Sequence, residues 1–143
     1  MIRFYGELEL VIALMDGSDN YHISDRHCRI SKDTAMHFAA SNVTKIHGVF
    51  AARFRTSEDV MNLVLDYLES HKEFILKILA RINGADSNSV VFSIPLSGAG
   101  FVVSADGRVF IANRIKVVLK EDENYRIGDK ARGLFVASAY PVR

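Results

Sequence analysis

The feature that most constrains this chain is a change of hydrophobic period at Asn83-Gly84. Before it, Val60, Val64, Leu68, Ile75, Leu79 and Ile82 recur at helical spacing, with Met61, Leu65 and Ile78 widening the stripe. That one-sided pattern predicts amphipathic helix. After it, residues 90–94, 100–103, 109–112, 115–119 and 134–140 are short runs rich in Val, Ile and Phe, the composition of strands. Helices first and strands afterwards predict an α+β domain, with N-terminal helices packed on a curved, mostly antiparallel C-terminal sheet. Such packing brings the two chain ends together.

Punctuation refines the pattern. Residues 5–15 are apolar with interspersed acids and fit helix or strand, with helix favoured, ended by the turn formers Asp16-Gly17-Ser18-Asp19-Asn20. A short helix over 22–28 follows, and Ser31 is placed to cap the next, over 32–40. Residues 45–54 read as a first strand. The long helical pattern starts at Thr56 or Ser57, where Glu58 and Asp59 suit the positive end of the helix dipole, and Ser70-His71 divides it. A polar loop is expected at 85–88. Ala105-Asp106-Gly107 reads as a hairpin turn and Ser97-Gly98-Ala99-Gly100 as a tight turn.

The 143 residues fit one domain, 1–143, since single domains commonly run to roughly 100–150 residues. With 49% hydrophobic residues the chain can bury a core without metal or cross-links. Cys28 is the only cysteine, so no internal disulfide can form. No apolar run approaches the roughly 20 residues that span a bilayer, and the N-terminal stretch, broken by Glu7 and Glu9, lacks a basic leader. The expectation is a soluble domain with no membrane anchor in this chain. A net charge of +1 announces no general affinity for nucleic acid, yet Arg26, Arg29 and Lys32 cluster around a histidine pair, so any polyanion site is local.

That pair is His22-Ile-Ser-Asp-Arg-His27. Histidine exchanges protons near neutral pH. At the other end, Ser138-Ala139-Tyr140-Pro141 closes a strand on which hydroxyls two residues apart share a face, with Phe135, Ala137 and Ala139 expected to pack inward. No zinc ligand set is met, because there is one cysteine and no His-Glu-x-x-His. The glycines at 98 and 100 lack the Gly-Lys-Ser/Thr of a phosphate-binding loop. Cys28, beside His27, points about 100° away from it on a helix and reads as a small apolar filler. No metal and no cofactor are therefore expected.

Taken in order, His22-x4-His27 with Ser31, the amphipathic helices after an Arg-Phe strand, Lys116-Val117-Val118-Leu119-Lys120-Glu121-Asp122 and the terminal Ser138-Ala139-Tyr140-Pro141 resemble the bacterial ribonuclease A-like toxin domains of contact-dependent growth inhibition proteins, over roughly residues 14–141. The resemblance implies a ribonuclease A-like fold without disulfides. It matches His27 to the family's catalytic histidine, His22 to the supporting upstream histidine, Ser138 to its threonine and Tyr140 to its tyrosine. The chain departs from the pattern at Tyr21, at Cys28-Arg29-Ile30, and at Phe38, where the family's arginine would fall. His37 lies beside that position and is the candidate second proton-transfer group or transition-state cation.

The activity so implied is metal-independent cleavage of RNA, and not DNA, by attack of the ribose 2′-hydroxyl on the adjacent phosphorus, leaving a 2′,3′-cyclic phosphate. His27 would act as acid or base, Ser138 and Tyr140 would orient or donate to the phosphate, and Arg26, Arg29 and Lys32 would hold the RNA backbone. Such a toxin would be secreted or delivered from a cell surface as part of a larger protein, act in the target-cell cytoplasm, and meet a cognate immunity protein. The competing reading is a non-enzymatic α+β binding protein, such as a toxin-neutralising immunity protein, supported by the acidic helix and the near-neutral charge. The distance between His27 and Tyr140 separates the two, since an enzyme needs them close.

Overall fold

The structure, a computed structural model, describes residues 2–5, 10–13, 18–84, 89–121, 126–127, 130–131 and 133–143. Its element order is β1(Ile2–Tyr5), β2(Leu10–Ala13), α1(Ser18–His27), α2(Lys32–Ser41), β3(Ile46–Phe50), α3(Ser57–Ser70), α4(Lys72–Gly84), β4(Ser89–Ser104), β5(Val109–Glu121), β6(Arg126–Ile127), β7(Lys130–Ala131) and β8(Gly133–Val142). Six strands form one sheet in the order β1-β2-β8-β5-β4-β3, and β6 pairs with β7 apart from it. The architecture is α+β, as the change of period predicts, and the main sheet is antiparallel except where β2 runs parallel to β8. The loop expected at 85–88 lies outside the described residues.

α3 and α4 follow their sequence pattern closely, whereas α1 starts at Ser18 and takes in Ser18-Asp19-Asn20, read from sequence as turn formers. The Asp59 carboxylate accepts from the backbone N–H groups of Arg55 and Thr56, which ties off the start of α3. Val60, Met61, Val64, Leu65 and Leu68 of α3 and Ile75 and Ile78 of α4 are fully buried or nearly so. They share one core with Ile115, Val117 and Leu119 of β5 and Leu134 and Val136 of β8. The helix divides at His71, whose backbone N–H closes α3 on the Leu68 carbonyl.

Three expectations are corrected. Where residues 5–15 are described, at Tyr5 and Leu10–Ala13, they are strand rather than the favoured helix: β1 and β2 pair antiparallel, with Ile2 opposite Ala13 and Tyr5 opposite Leu10, and the rest of that segment lies outside the described residues. The apolar run is short, and pairing of Val11, Ile12 and Ala13 with Gly133, Leu134 and Phe135 decides its state. The sheet is thus not wholly C-terminal.

The glycine-rich segment is not a turn. It lies within the single long strand β4, where the register passes from Pro95↔Arg114 to Gly100↔Ala112. Residues 96–99 therefore face Asn113 alone, a bulge that bends the β4–β5 ribbon. Gly98 at φ 70° and Gly100 at φ 153° supply backbone conformations that side chains disfavour. At Gly100 a Cβ would also collide with the backbone of β3. The real hairpin turn is Ala105-Asp106-Gly107, closed by Gly107 N–H donating to Ser104 O at 3.0 Å, with hydrogen bonds from Ser104 and Arg108 holding the Asp106 carboxyl below the usual range.

The third correction concerns β8. Leu134 and Val136 are fully buried, as are Ala139 and, to a lesser extent, Pro141, whereas Phe135 and Ala137 are half-buried. The register with β5 passes from Val118↔Ser138 to Leu119↔Val136, so Ala137 is an extra residue without a partner. A bulge of one residue reverses which side chains face the core. That reversal turns Leu134 and Val136 inward in place of Phe135 and Ala137, while Ser138 and Tyr140 stay off the core side.

Candidate functional site

The histidine-bearing end of α1 is set by its own packing. Ile23 is fully buried in the main core, and His27 follows it by four residues, hence on the same helix face. Ser24, one position further round, accepts through Oγ from the backbone N–H of Ser57 at 2.5 Å, locking α1 against the start of α3. His27 is thereby carried onto β3 and β8 as the last residue of its helix.

Two imidazoles meet there. His27 Nδ1 donates to the Gly48 carbonyl at 2.7 Å, and His47 Nε2 donates to the Arg26 carbonyl at 2.5 Å. Each histidine thus grips the backbone beside the other, in a reciprocal clasp between α1 and β3. Each carbonyl accepts from one ring nitrogen and so fixes the orientation of its imidazole. The rings stack with centroids 4.5 Å apart and planes 10° from parallel. Both residues are buried, at 7% and 6% exposure, so their polar atoms depend on such bonds.

Tyr140 extends the stack: its ring lies 5.5 Å from His27 at 20°. Behind His47 lies Phe38, at 4.9 Å and 38°. Cations close both ends, Arg26 at 5.4 Å from the Phe38 centroid and Lys116 at 5.9 Å from that of Tyr140. Lys116 arrives there because it is the cross-strand partner of Tyr140. The outcome is a row of four rings drawn from α1, α2, β3 and β8, with a positive charge at each end.

The row borders a cleft of about 370 Å³. Its polar lining comes from Arg26, His27, His47, Lys116, Ser138 and Tyr140, with Asn42 and Thr44 at one side. Gly48 makes the closure possible, because a Cβ there would collide with the carbonyl oxygen of Pro141 in β8. A glycine lets the edge strand β3 press against the end of β8.

Of the residues singled out from sequence, His27, Ser138, Tyr140 and Arg26 line this cleft. His37 does not; it is exposed on α2, and the second imidazole of the cleft is His47. Adjacent helix positions diverge, so the turn of α2 that presents Phe38 to His47 carries His37 outward. Arg29, at φ 56°, and Lys32 are exposed and lie outside the cleft lining. His22 belongs to α1, but its side chain lies outside the described residues. Cys28 is buried in the main core, and burial, with the Asp59 carboxylate second, raises its thiol to about 11, so it stays protonated at neutral pH.

His47, Lys116 and Gly48, with Asn42 and Thr44, are among the cleft residues that reading by motif passed over as site residues. The available signal was local: Ile46-His47-Gly48-Val49-Phe50 places a histidine and a glycine inside an otherwise apolar strand. Among the described residues no group of three or more His, Cys, Asp or Glu side chains is placed to hold a metal ion, and no helix is long and apolar enough to cross a membrane.

No protein-family profile matches the chain, and neither does any curated protein. Among solved structures it is similar to a chain in the crystal structure of a CdiA-CT/CdiI complex from Y. kristensenii 33638, with a TM-score of 0.59 and 15% identity. The match covers 85% of this chain and 99% of that one. At that identity the likeness is one of fold, and it extends over nearly the whole of the other chain.

Proposed function

We propose that this protein is a metal-independent ribonuclease toxin of interbacterial competition, cutting RNA at the cleft between α1, β3 and β8. The observation that carries the reading is the meeting of His27 with Tyr140 and Ser138, residues from opposite ends of the chain, in one cleft flanked by Arg26 and Lys116. A likeness of fold to a chain from a CdiA-CT/CdiI complex agrees with the contact-dependent growth inhibition resemblance of the sequence motifs.

In the proposed reaction a base takes the proton of a ribose 2′-hydroxyl and O2′ bonds to the adjacent phosphorus. The P–O5′ bond breaks, and an acid returns a proton to O5′, giving a 2′,3′-cyclic phosphate and a 5′-hydroxyl. His27, held by Gly48 through Nδ1, serves one of these transfers, a contribution of about 10² to 10⁴ in rate. Tyr140 and Ser138 donate to the phosphate oxygens, while Lys116 and Arg26 bring positive charge to the polyanion. DNA lacks the attacking hydroxyl.

As a toxin, the chain would act in a target-cell cytoplasm after delivery as part of a larger protein, and a cognate immunity protein would cover the cleft or the basic residues at its mouth. Arg26 lines the cleft, and the exposed Arg29 and Lys32 lie close to it in sequence, a surface that acidic side chains of such a partner would match. The test is incubation of purified protein with RNA and with DNA of the same sequence, in EDTA. RNA alone should be cut; chelator-sensitive cutting, or equal attack on DNA, contradicts the proposal, and intact RNA together with tight binding of a toxin domain supports an immunity protein instead.

A further inference from the structure

On the face of the sheet opposite the core shared with α3 and α4, β5 presents Lys116, Val118 and Lys120, the alternates of the buried Ile115, Val117 and Leu119. Cross-strand pairing with β8 extends that face: Lys116 stands beside Tyr140, Val118 beside Ser138 and Lys120 beside Phe135. Phe135 belongs to it only because of the bulge at Ala137. Strict alternation from Ser138 would turn Phe135 to the core, whereas the extra residue buries Leu134 and Val136 and leaves Phe135 half-buried on the side of Tyr140. Towards β4, Val118 pairs with Val91, which is 50% exposed, so an apolar floor lies between the rows of Lys116 and Lys120. Among the described residues of β4, β5 and β8, no acidic side chain shares this face.

We propose that this open face carries the RNA strand beyond the scissile bond, with Lys120 holding a second phosphate and Phe135 stacking on a base. The inference rests on the ribonuclease reading and deepens it, by assigning where the rest of the polymer lies. A basic groove with aromatic rings along it holds single-stranded nucleic acid with little regard to sequence, because every base has a face to stack. The track is continuous with the cleft, since Lys116, Ser138 and Tyr140 belong to both. Lys120 follows Lys116 by four residues, an advance of about 13 Å along β5. That exceeds the screening length of roughly 10 Å at 0.1 M salt, so Lys120 adds little to the field at the phosphate beside Lys116 and serves a neighbouring one. The bulge at Ala137 thereby acquires a purpose: it re-aims Phe135 onto the face where the strand runs.

The test compares substrates of two lengths. The ratio of kcat/KM on an RNA hexanucleotide to that on a dinucleoside monophosphate, which reaches the cleft alone, is measured for the wild type, Lys120→Ala, Phe135→Leu and Lys77→Ala. The last removes the same charge from an exposed position of α4, on the other side of the sheet. The ratio should fall about tenfold in Lys120→Ala and in Phe135→Leu and keep the wild-type value in Lys77→Ala. On the hexanucleotide, Lys120→Ala should also flatten the fall of log kcat/KM with log salt by about 0.7, the share of one phosphate on a single strand. Lys120 is exposed, so its truncation leaves the core intact. Binding of a 2′-O-methyl hexanucleotide, which the proposed reaction cannot cut, is followed by fluorescence anisotropy and should weaken about tenfold in Lys120→Ala. If Lys120→Ala or Phe135→Leu keeps the wild-type ratio, or Lys77→Ala loses as much, while the wild type cuts RNA, the track is wrong and the ribonuclease reading stands. If the wild type cuts no RNA yet binds the methylated strand through Lys120, the ribonuclease reading falls and the track stands. If it neither cuts nor binds, both fall.

Discussion

The two flanks of the sheet are built on different principles. Where α3 and α4 cover it, the buried positions are apolar: Leu65, Leu68, Ile75 and Ile78 meet Ile115, Leu119 and Leu134 in one continuous core. Where α1 and β3 meet the end of β8, two buried histidines are held by paired hydrogen bonds to each other's neighbouring carbonyls. Burial of apolar surface is non-directional and tolerates substitution of similar volume. Burial of imidazoles requires partners at fixed positions, because an unpaired polar group costs about 1–3 kcal/mol. The first flank therefore holds the fold, and the second fixes the side chains of the cleft in place.

Substitutions should separate the two. The largest effect is expected at the helical flank: Leu65→Ala removes a fully buried side chain and should destabilise by about 2–5 kcal/mol in denaturant unfolding. A loss below about 1 kcal/mol would mean that the α3 interface does not hold the sheet. At the cleft, Tyr140→Phe keeps the ring that stacks on His27 and removes only the hydroxyl. Cleavage should fall by about 10² with the melting temperature nearly unchanged. A variant as active as the wild type would deprive Tyr140 of its role.

Gly48→Ala tests whether the flanks are mechanically joined. Its Cβ would strike the Pro141 carbonyl, so β3 must move away from β8 and carry the acceptor of His27 with it. Stability should drop by about 1–3 kcal/mol, and activity should drop further than that loss explains. Normal stability and activity together would show that the contact is slack.

A smaller effect concerns pH. The Cys28 thiol is raised from 9.0 to about 11 by burial and by Asp59, so the folded state holds this proton more tightly than the unfolded chain. Its contribution is fully present below pH 9.0 and is lost as pH rises through about 11. Cys28→Ala should therefore unfold with a shallower alkaline decline than the wild type, and equal slopes would contradict the assignment. Smallest of all, His71→Ala should leave cleavage unchanged, since His71 is exposed at the α3–α4 break and outside the cleft.

The same contrast explains what could be read from the sequence. Val60, Val64 and Leu68 announce α3 because one helix face suffices to bury them, and the break at His71 and the turn at Asp106 are signalled locally. The β1–β2 hairpin was hidden because its state is decided by β8, at the far end of the chain. The cleft was half legible. His27, Ser138 and Tyr140 stand in ordered motifs, and alternation alone puts Ser138 and Tyr140 off the core side; the bulge at Ala137, which turns Leu134 and Val136 inward in place of Phe135 and Ala137, follows from pairing with β5 and cannot be read from alternation. His47 lacked any motif. What distinguishes it from His37 is a neighbour: Gly48 admits Pro141 and offers its carbonyl to His27.

The central claim, cleavage by an internal 2′-hydroxyl at the His27 cleft, is tested most directly with a DNA oligonucleotide that carries a single ribonucleotide. The wild type should cut once, on the 3′ side of that residue, leaving a 2′,3′-cyclic phosphate there and a 5′-hydroxyl on the other fragment, and His27→Ala should leave the strand whole. Cutting at deoxynucleotides, a 3′-hydroxyl end, or undiminished cutting by His27→Ala would contradict the account.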